Sequence, residues 1–125
     1  MIVNHYKDLI VWQKAMDLVC LIYNVTKSFP KEEIYGLTSQ LRRAAVSVPS
    51  NIAEGQARQS TPEFKHFLTI SRGSLAEIET QLLIASRLNY LQESQLRAIM
   101  SLHTEISKML PALISKLSTP KEKDK

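Results

Sequence analysis

Apolar residues recur every three or four positions in four separate stretches of this chain, and in none do they alternate with polar ones at the period of a strand. From about residue 9 to 27 there are two such stripes. One is Trp12, Met16, Val19, Tyr23 and Thr26, and the other is Val11, Ala15, Leu18, Ile22 and Val25. Two apolar stripes on one helix imply burial on more than one side. Phe29-Pro30 ends it, because the residue before a proline avoids helical geometry. After a turn over residues 30–36, a second helix is expected from near Leu37, with Thr38 placed to cap it, to about Ala57. Its stripe is Leu41, Ala45, Val48, Ile52 and Gly55. The third opens on Ser60-Thr61-Pro62-Glu63, which fits a capping box with proline in the first turn. It continues through Phe64, Phe67/Leu68, Ser71, Leu75, Ile78, Leu82 and Ala85 and closes at Asn89-Tyr90.

The fourth stretch spans about residues 92–117. Leu96, Ile99, His103, Ile106, Leu110, Leu113 and Leu117 alternate spacings of three and four, the seam of a helical bundle. Pro111 removes one backbone bond there, and because the seam runs on beyond it a bend is expected, not an end. Short connections make consecutive helices antiparallel. The pattern therefore predicts an all-α, up-down-up-down antiparallel four-helix bundle over residues 1–118, with 119–125 a disordered charged tail. Val11, Leu18, Leu83, Ile84, Leu102 and Met109 fall off the four seams. A lone bundle would leave them wet, so some of them are expected to form a subunit interface.

Composition narrows the class. The 125 residues suit one domain, and 44% hydrophobic with 22% charged residues is an ordinary globular balance. Charge interrupts every long apolar stretch, so no transmembrane span is expected, and residues 1–8 lack the basic-then-apolar order of a signal peptide. The single cysteine, Cys20, excludes an internal disulfide, and its neighbours Val19, Leu21 and Ile22 suggest a buried small hydrophobe. A cytoplasmic location is expected. The net charge of +4 permits an anionic partner without demanding one.

Catalytic chemistry is hard to find. Glu63-Phe64-Lys65-His66 has the Glu-x-x-His spacing of di-iron bundles, but it is a single copy in a first turn, where Glu63 serves better as a cap. His103 lies on an apolar seam and reads as a core histidine, and His5 stands alone. Gly36, Gly55 and Gly73 are too scattered for a phosphate loop, and Glu77 and Glu79, two apart on a helix, face different ways. No Ser-His-Asp set can be argued. The expectation is no enzyme, no metal and no cofactor.

The most informative stretch is Gln40 to Gly55, which carries Pro49 in mid-helix beside a polar stripe of Gln40, Arg43, Ser47, Asn51, Glu54 and Arg58. On one reading Ser47 and Asn51 tie up backbone groups near the kink while Glu54 pairs with Arg58. On the other, this face contacts another subunit or a ligand. Arg42, Arg43, Arg58, Lys65 and Arg72 cluster on the second and third helices, and their binding to RNA or DNA phosphates would be salt-dependent. Exposed aromatics for stacking are scarce, which argues against base-specific reading.

These residues also carry a resemblance. Asp8-Leu9-Ile10-Val11-Trp12-Gln13-Lys14-Ala15, Phe29-Pro30 with Glu33-Ile34-Tyr35-Gly36-Leu37, Gln40-Leu41-Arg42-Arg43-Ala44-Ala45 and above all Ser47-Val48-Pro49-Ser50-Asn51-Ile52-Ala53-Glu54-Gly55 resemble the 23S rRNA intervening-sequence proteins, also called S23 ribosomal proteins. Glu63-Phe64, Gly73-Ser74-Leu75-Ala76-Glu77 and Leu88-Asn89-Tyr90-Leu91 extend the likeness, which spans roughly residues 6–117. The resemblance implies a helical bundle that assembles as a homopentameric ring, with Ser47, Pro49, Asn51, Glu54 and Gly55 as its structural motif. Some members are encoded inside insertions in large-subunit rRNA genes. Others resemble the accessory protein of diversity-generating retroelements, a basic barrel that binds a reverse transcriptase and nucleic acid. Two functions follow as expectations. One is a nucleic-acid-associated adaptor that holds RNA, or an RNA-handling enzyme such as a reverse transcriptase, through Arg42, Arg43, Arg58, Lys65 and Arg72. The alternative is a protein-only scaffold whose charge serves solubility.

Overall fold

The structure, a computed structural model, describes residues 5–118; the charged segment 119–125 lies outside the described residues. Among the described residues there are four α-helices and no strand. They are α1 (Ile10–Thr26), α2 (Leu37–Ala57), α3 (Thr61–Arg87) and α4 (Glu93–Leu117), with short 3-10 turns at Tyr6–Asp8 and Lys31–Glu33. α2 packs most closely on α3, and α1 packs against both α2 and α4. All four apolar seams point into one core, in which Leu18, Ile22, Leu41, Ile52, Phe64, Leu68, Ile78, Leu82, Ile106 and Leu110 are fully enclosed. Each such side chain is stabilised by about 1.5–3 kcal/mol relative to an exposed one.

The helix ends follow local chemistry. At α3, Ser60 Oγ accepts from the Glu63 N–H at 3.4 Å, but the Glu63 carboxylate turns to Arg58 at 3.2 Å, so only half of the expected capping box forms. α3 ends on Asn89 at φ 61°, with the Tyr90 N–H donating to the Ala85 carbonyl and the Asn89 N–H to the Ser86 carbonyl. This is a Schellman motif, and asparagine tolerates the left-handed conformation it requires. Thr38 does not cap α2. It is buried one residue inside the helix, and Glu33 Oε1 accepts from the Leu37 N–H at 3.1 Å instead. At α4, Gln95 Oε1 accepts from the Gln92 N–H at 2.8 Å. α4 runs through Pro111 to Leu117, as its unbroken seam requires.

Three further expectations change. One stripe of α1 forms most of its core face: Val11, Ala15, Leu18, Ile22 and Val25 are buried, whereas of the other stripe Thr26 is buried, Trp12 and Val19 lean half-buried on the core, and Met16 and Tyr23 are exposed. Val11 and Leu18 therefore need no second subunit, being 3% and 0% exposed within their own chain. Leu102 and Met109 also lean on the core, while Leu83 and Ile84 stay exposed. Cys20 is exposed, because it lies two residues from Leu18 and so about 200° around the helix from the core stripe. No described helix is long and apolar enough to cross a membrane.

Candidate nucleic-acid interface

The α2–α3 crossing is built from small residues and hydroxyls. Ser47 and Ser74 hydrogen-bond to each other across it, and the Ser71 hydroxyl donates to the Val48 carbonyl at 3.0 Å. Further along, a Cβ on Gly55 would stand 2.7 Å from the Phe67 Cβ and 3.2 Å from the Phe64 ring. Only glycine lets the backbones approach so closely there. The contacts pair rising numbers on α2 with falling numbers on α3, so these two helices run antiparallel.

Pro49 is buried within α2, on the side that lines a groove toward α1, and cannot donate to the carbonyl of Ala45. The backbone around it is held by side chains. Ser47 Oγ lies 2.9 Å from the Ala44 carbonyl, Asn51 Nδ2 donates to the Ser47 carbonyl at 2.7 Å, and Ser71 reaches Val48 from α3. Glu54 pairs with Arg58 at 2.8 Å. Ser47 and Asn51 thus meet backbone carbonyls near Pro49 and Glu54 meets Arg58, the contacts of the first of the two readings.

The five candidate basic residues do not form one patch. Arg42 points at the end of α1. Its Nε donates to Thr26 Oγ1 at 2.8 Å, another guanidinium nitrogen reaches the Tyr23 carbonyl at 3.4 Å, and the group lies over the Tyr23 ring at 4.6 Å. A cation there satisfies late carbonyls and suits the helix dipole. Arg58 is held by Glu54 and Glu63 and lies over Phe67 at 5.1 Å. Arg43, Lys65 and Arg72 are different: among the described residues their side chains have no ionic or hydrogen-bonding partner. Lys65 and Arg72, seven residues apart, share one stripe of α3, and Arg72 borders a cleft toward α4 with Glu79, His103 and Ser107. Arg43 lies in a separate groove of about 350 Å³ between α2 and α3, with Gln40, Ala44, Ser47, Glu77 and Gln81. Gln81 was not singled out from sequence. Its signal was there, since Ser74, Glu77 and Gln81 form a polar stripe at helical spacing that mirrors Gln40, Arg43 and Ser47 on α2.

His103 is a core residue, as its seam position implies. It is buried, its Nε2–H donates to the Leu75 carbonyl at 2.7 Å, and Nδ1 faces the Ser107 hydroxyl at 3.4 Å. Tyr90, at the α3–α4 turn, donates its hydroxyl to Glu33 Oε2 at 2.9 Å and joins that turn to the α1–α2 loop. This hydrogen bond, reinforced by desolvation and the charges of Glu33 and Glu32, raises the phenol above its ordinary 10.0. A second groove, of about 230 Å³, is apolar. It lies between α1 and α2 and is lined chiefly by Trp12, Met16, Val19, Val46, Pro49 and Ala53.

The fold has a solved counterpart. A crystal structure of a protein of unknown function from the S23 ribosomal protein family of Bacteroides thetaiotaomicron superposes with a TM-score of 0.75 at 26% identity, covering 84% of this chain and 98% of that one. Comparison with the curated proteins gave no match. The family model described as 23S rRNA-intervening sequence protein matches residues 7–112, a span that holds the Pro49 segment, the α2–α3 crossing and all five basic residues. By that match, over most of its length, the chain belongs to the 23S rRNA-intervening sequence protein family.

Proposed function

We propose that the protein is a non-enzymatic cytoplasmic accessory protein. In this reading up-down-up-down bundles assemble as a homopentameric ring that holds RNA, or an enzyme acting on RNA, through free basic side chains. The observation that carries it is the split among the basic residues of α2 and α3. Arg42 and Arg58 are engaged within the chain, whereas Arg43, Lys65 and Arg72 keep their charge for something outside it. Membership of the family described as 23S rRNA-intervening sequence protein, some members of which are encoded within rRNA genes, makes RNA the first partner to test. The apolar α1–α2 groove, which exposes Met16 and Val46, supports association between copies. A ring would set several modest patches side by side and multiply their effect.

Light scattering with absorbance recorded at 260 nm tests assembly and co-purifying nucleic acid together. A pentamer that binds structured RNA with steep salt dependence is expected. A monomer, or an RNA affinity unchanged across a salt series, contradicts the reading. A protein-only scaffold is the second reading. It is favoured by Ile34, Tyr35 and Leu88, which are exposed at the end of the molecule where Tyr90 joins Glu33, with Tyr35 at 95% exposure. A stable protein partner in affinity purification, lost in Tyr35→Ser, is its expected result.

A further inference from the structure

Two connections at one end of the bundle share a single carboxylate. The α1–α2 loop and the α3–α4 turn are far apart in sequence, 57 residues from Glu33 to Tyr90, and among the described residues no backbone hydrogen bond joins them. Each closes on itself. In the loop, the Glu33 N–H donates to the Pro30 carbonyl at 2.9 Å and the Gly36 N–H to the Glu33 carbonyl at 2.9 Å. In the turn, the Asn89 and Tyr90 N–H groups donate to the Ser86 and Ala85 carbonyls. Held by these bonds alone, the two connections would open locally and independently of each other.

The Glu33 side chain changes that. Its Oε1 accepts from the Leu37 N–H at 3.1 Å and so caps α2, whose N-cap residue, Gly36, has no side chain to do so. Its Oε2 accepts from the Tyr90 hydroxyl at 2.9 Å. A Cβ on Gly36 would stand 2.9 Å from Glu33 Oε1, so glycine keeps the capping place clear. The Tyr90 ring packs on buried Phe29, with centroids 5.5 Å apart, which seats the turn against the chain just beyond α1. The two oxygens belong to one planar group. A rotation that releases Tyr90 therefore also carries Oε1 away from the Leu37 N–H, and both bonds are of the stronger, charge-assisted kind.

We infer that Glu33 is a latch that makes the α1–α2 loop and the α3–α4 turn open and close as one unit. The end of the bundle that carries exposed Ile34, Tyr35 and Leu88 is thereby held as a single platform. An aromatic presented on a platform costs a partner less ordering than one on a loose loop. The latch concerns the chain alone and rests on neither functional reading.

Native-state hydrogen exchange of the intact protein, read amide by amide, tests it. In Tyr90→Phe the bond from the Leu37 N–H to Glu33 keeps both of its partners, yet that amide is expected to exchange about tenfold faster. In Glu33→Ala the Asn89 and Tyr90 amides keep their own acceptors, yet are expected to speed up by a similar factor, because coupling between two sites is reciprocal. The Phe64 N–H, bonded to the Ser60 carbonyl at 2.8 Å at the opposite end of the bundle, is expected to keep its wild-type rate. If Tyr90→Phe speeds only amides of 88–90, or Glu33→Ala only those of 33–37, the connections open independently and the latch is overturned. Acceleration of Phe64 to the same degree as Leu37 also overturns it, since the exchange then reports a general loss of stability.

Discussion

One residue along α2 turns a side chain through about 100°, and that rotation separates the roles of Arg42 and Arg43. Arg42 reaches Thr26 and Tyr23 and holds the end of α1, whereas Arg43 has no such duty. Arg42→Ala is expected to cost about 1.5–3 kcal/mol, as for a lost charged hydrogen bond, and Arg43→Ala less than about 0.5 kcal/mol. Urea unfolding of both variants checks this, and equal effects would contradict the assignment. Gly55 gives a second residue-scale outcome. Alanine there gains up to about 1 kcal/mol of helix propensity, but its methyl meets Phe67 Cβ at 2.7 Å, and overpacking of this kind costs about 1–3 kcal/mol. Gly55→Ala is therefore expected to lower the melting temperature. A higher one would mean that α2 and α3 can part without loss. Sequence alone marks Gly55 as part of an apolar stripe, but the facing Phe64 and Phe67 become visible only once the helices are packed.

The elements themselves were largely legible, because helices that bury one face write their period into the chain. The bounds of α2 and the passage of α4 through Pro111 follow from pattern and proline chemistry alone. On α1 the pattern predicts burial of both apolar stripes, whereas one stripe is enclosed and the other is mostly half-buried or exposed. Both have helical spacing, and the choice depends on where α2 and α4 sit. Cys20 and Thr38 were misplaced for the same kind of reason: the position of Cys20 on the wheel is set by the inward stripe, and the cap of α2 comes from Glu33, four residues upstream of Leu37. Glu33 also takes the Tyr90 hydroxyl and so links the two connections at one end of the molecule. A phenol whose folded value is raised above its unfolded value of about 10 adds stability that is fully present below that pH and is lost as pH rises through the folded value. Wild type is thus expected to exceed Tyr90→Phe in stability at pH 8, with the gap narrowing above pH 10. Denaturant midpoints across that range test it, and a gap that stays constant would contradict the link.

At the scale of the whole molecule, the family could be read from the Ser47–Gly55 run and the α-helical class from the four periodic stretches, but the sharing of charge only in part. The i,i+4 spacing of Glu54 and Arg58 already suggests their pair in sequence, but only three-dimensional contacts show that Arg42 is committed inside the chain as well. The account turns on that division. Its most direct test is affinity for a structured RNA over a salt series, measured for wild type, for Arg43→Gln/Lys65→Gln/Arg72→Gln and for Arg42→Gln/Arg58→Gln. Each phosphate contact contributes roughly 0.7–0.9 to the slope of log affinity on log salt. The triple variant is predicted to lose about two units of slope per binding subunit, and the double variant to keep the wild-type slope while melting earlier. A double variant that loses the slope, with the triple variant unchanged, would contradict the account.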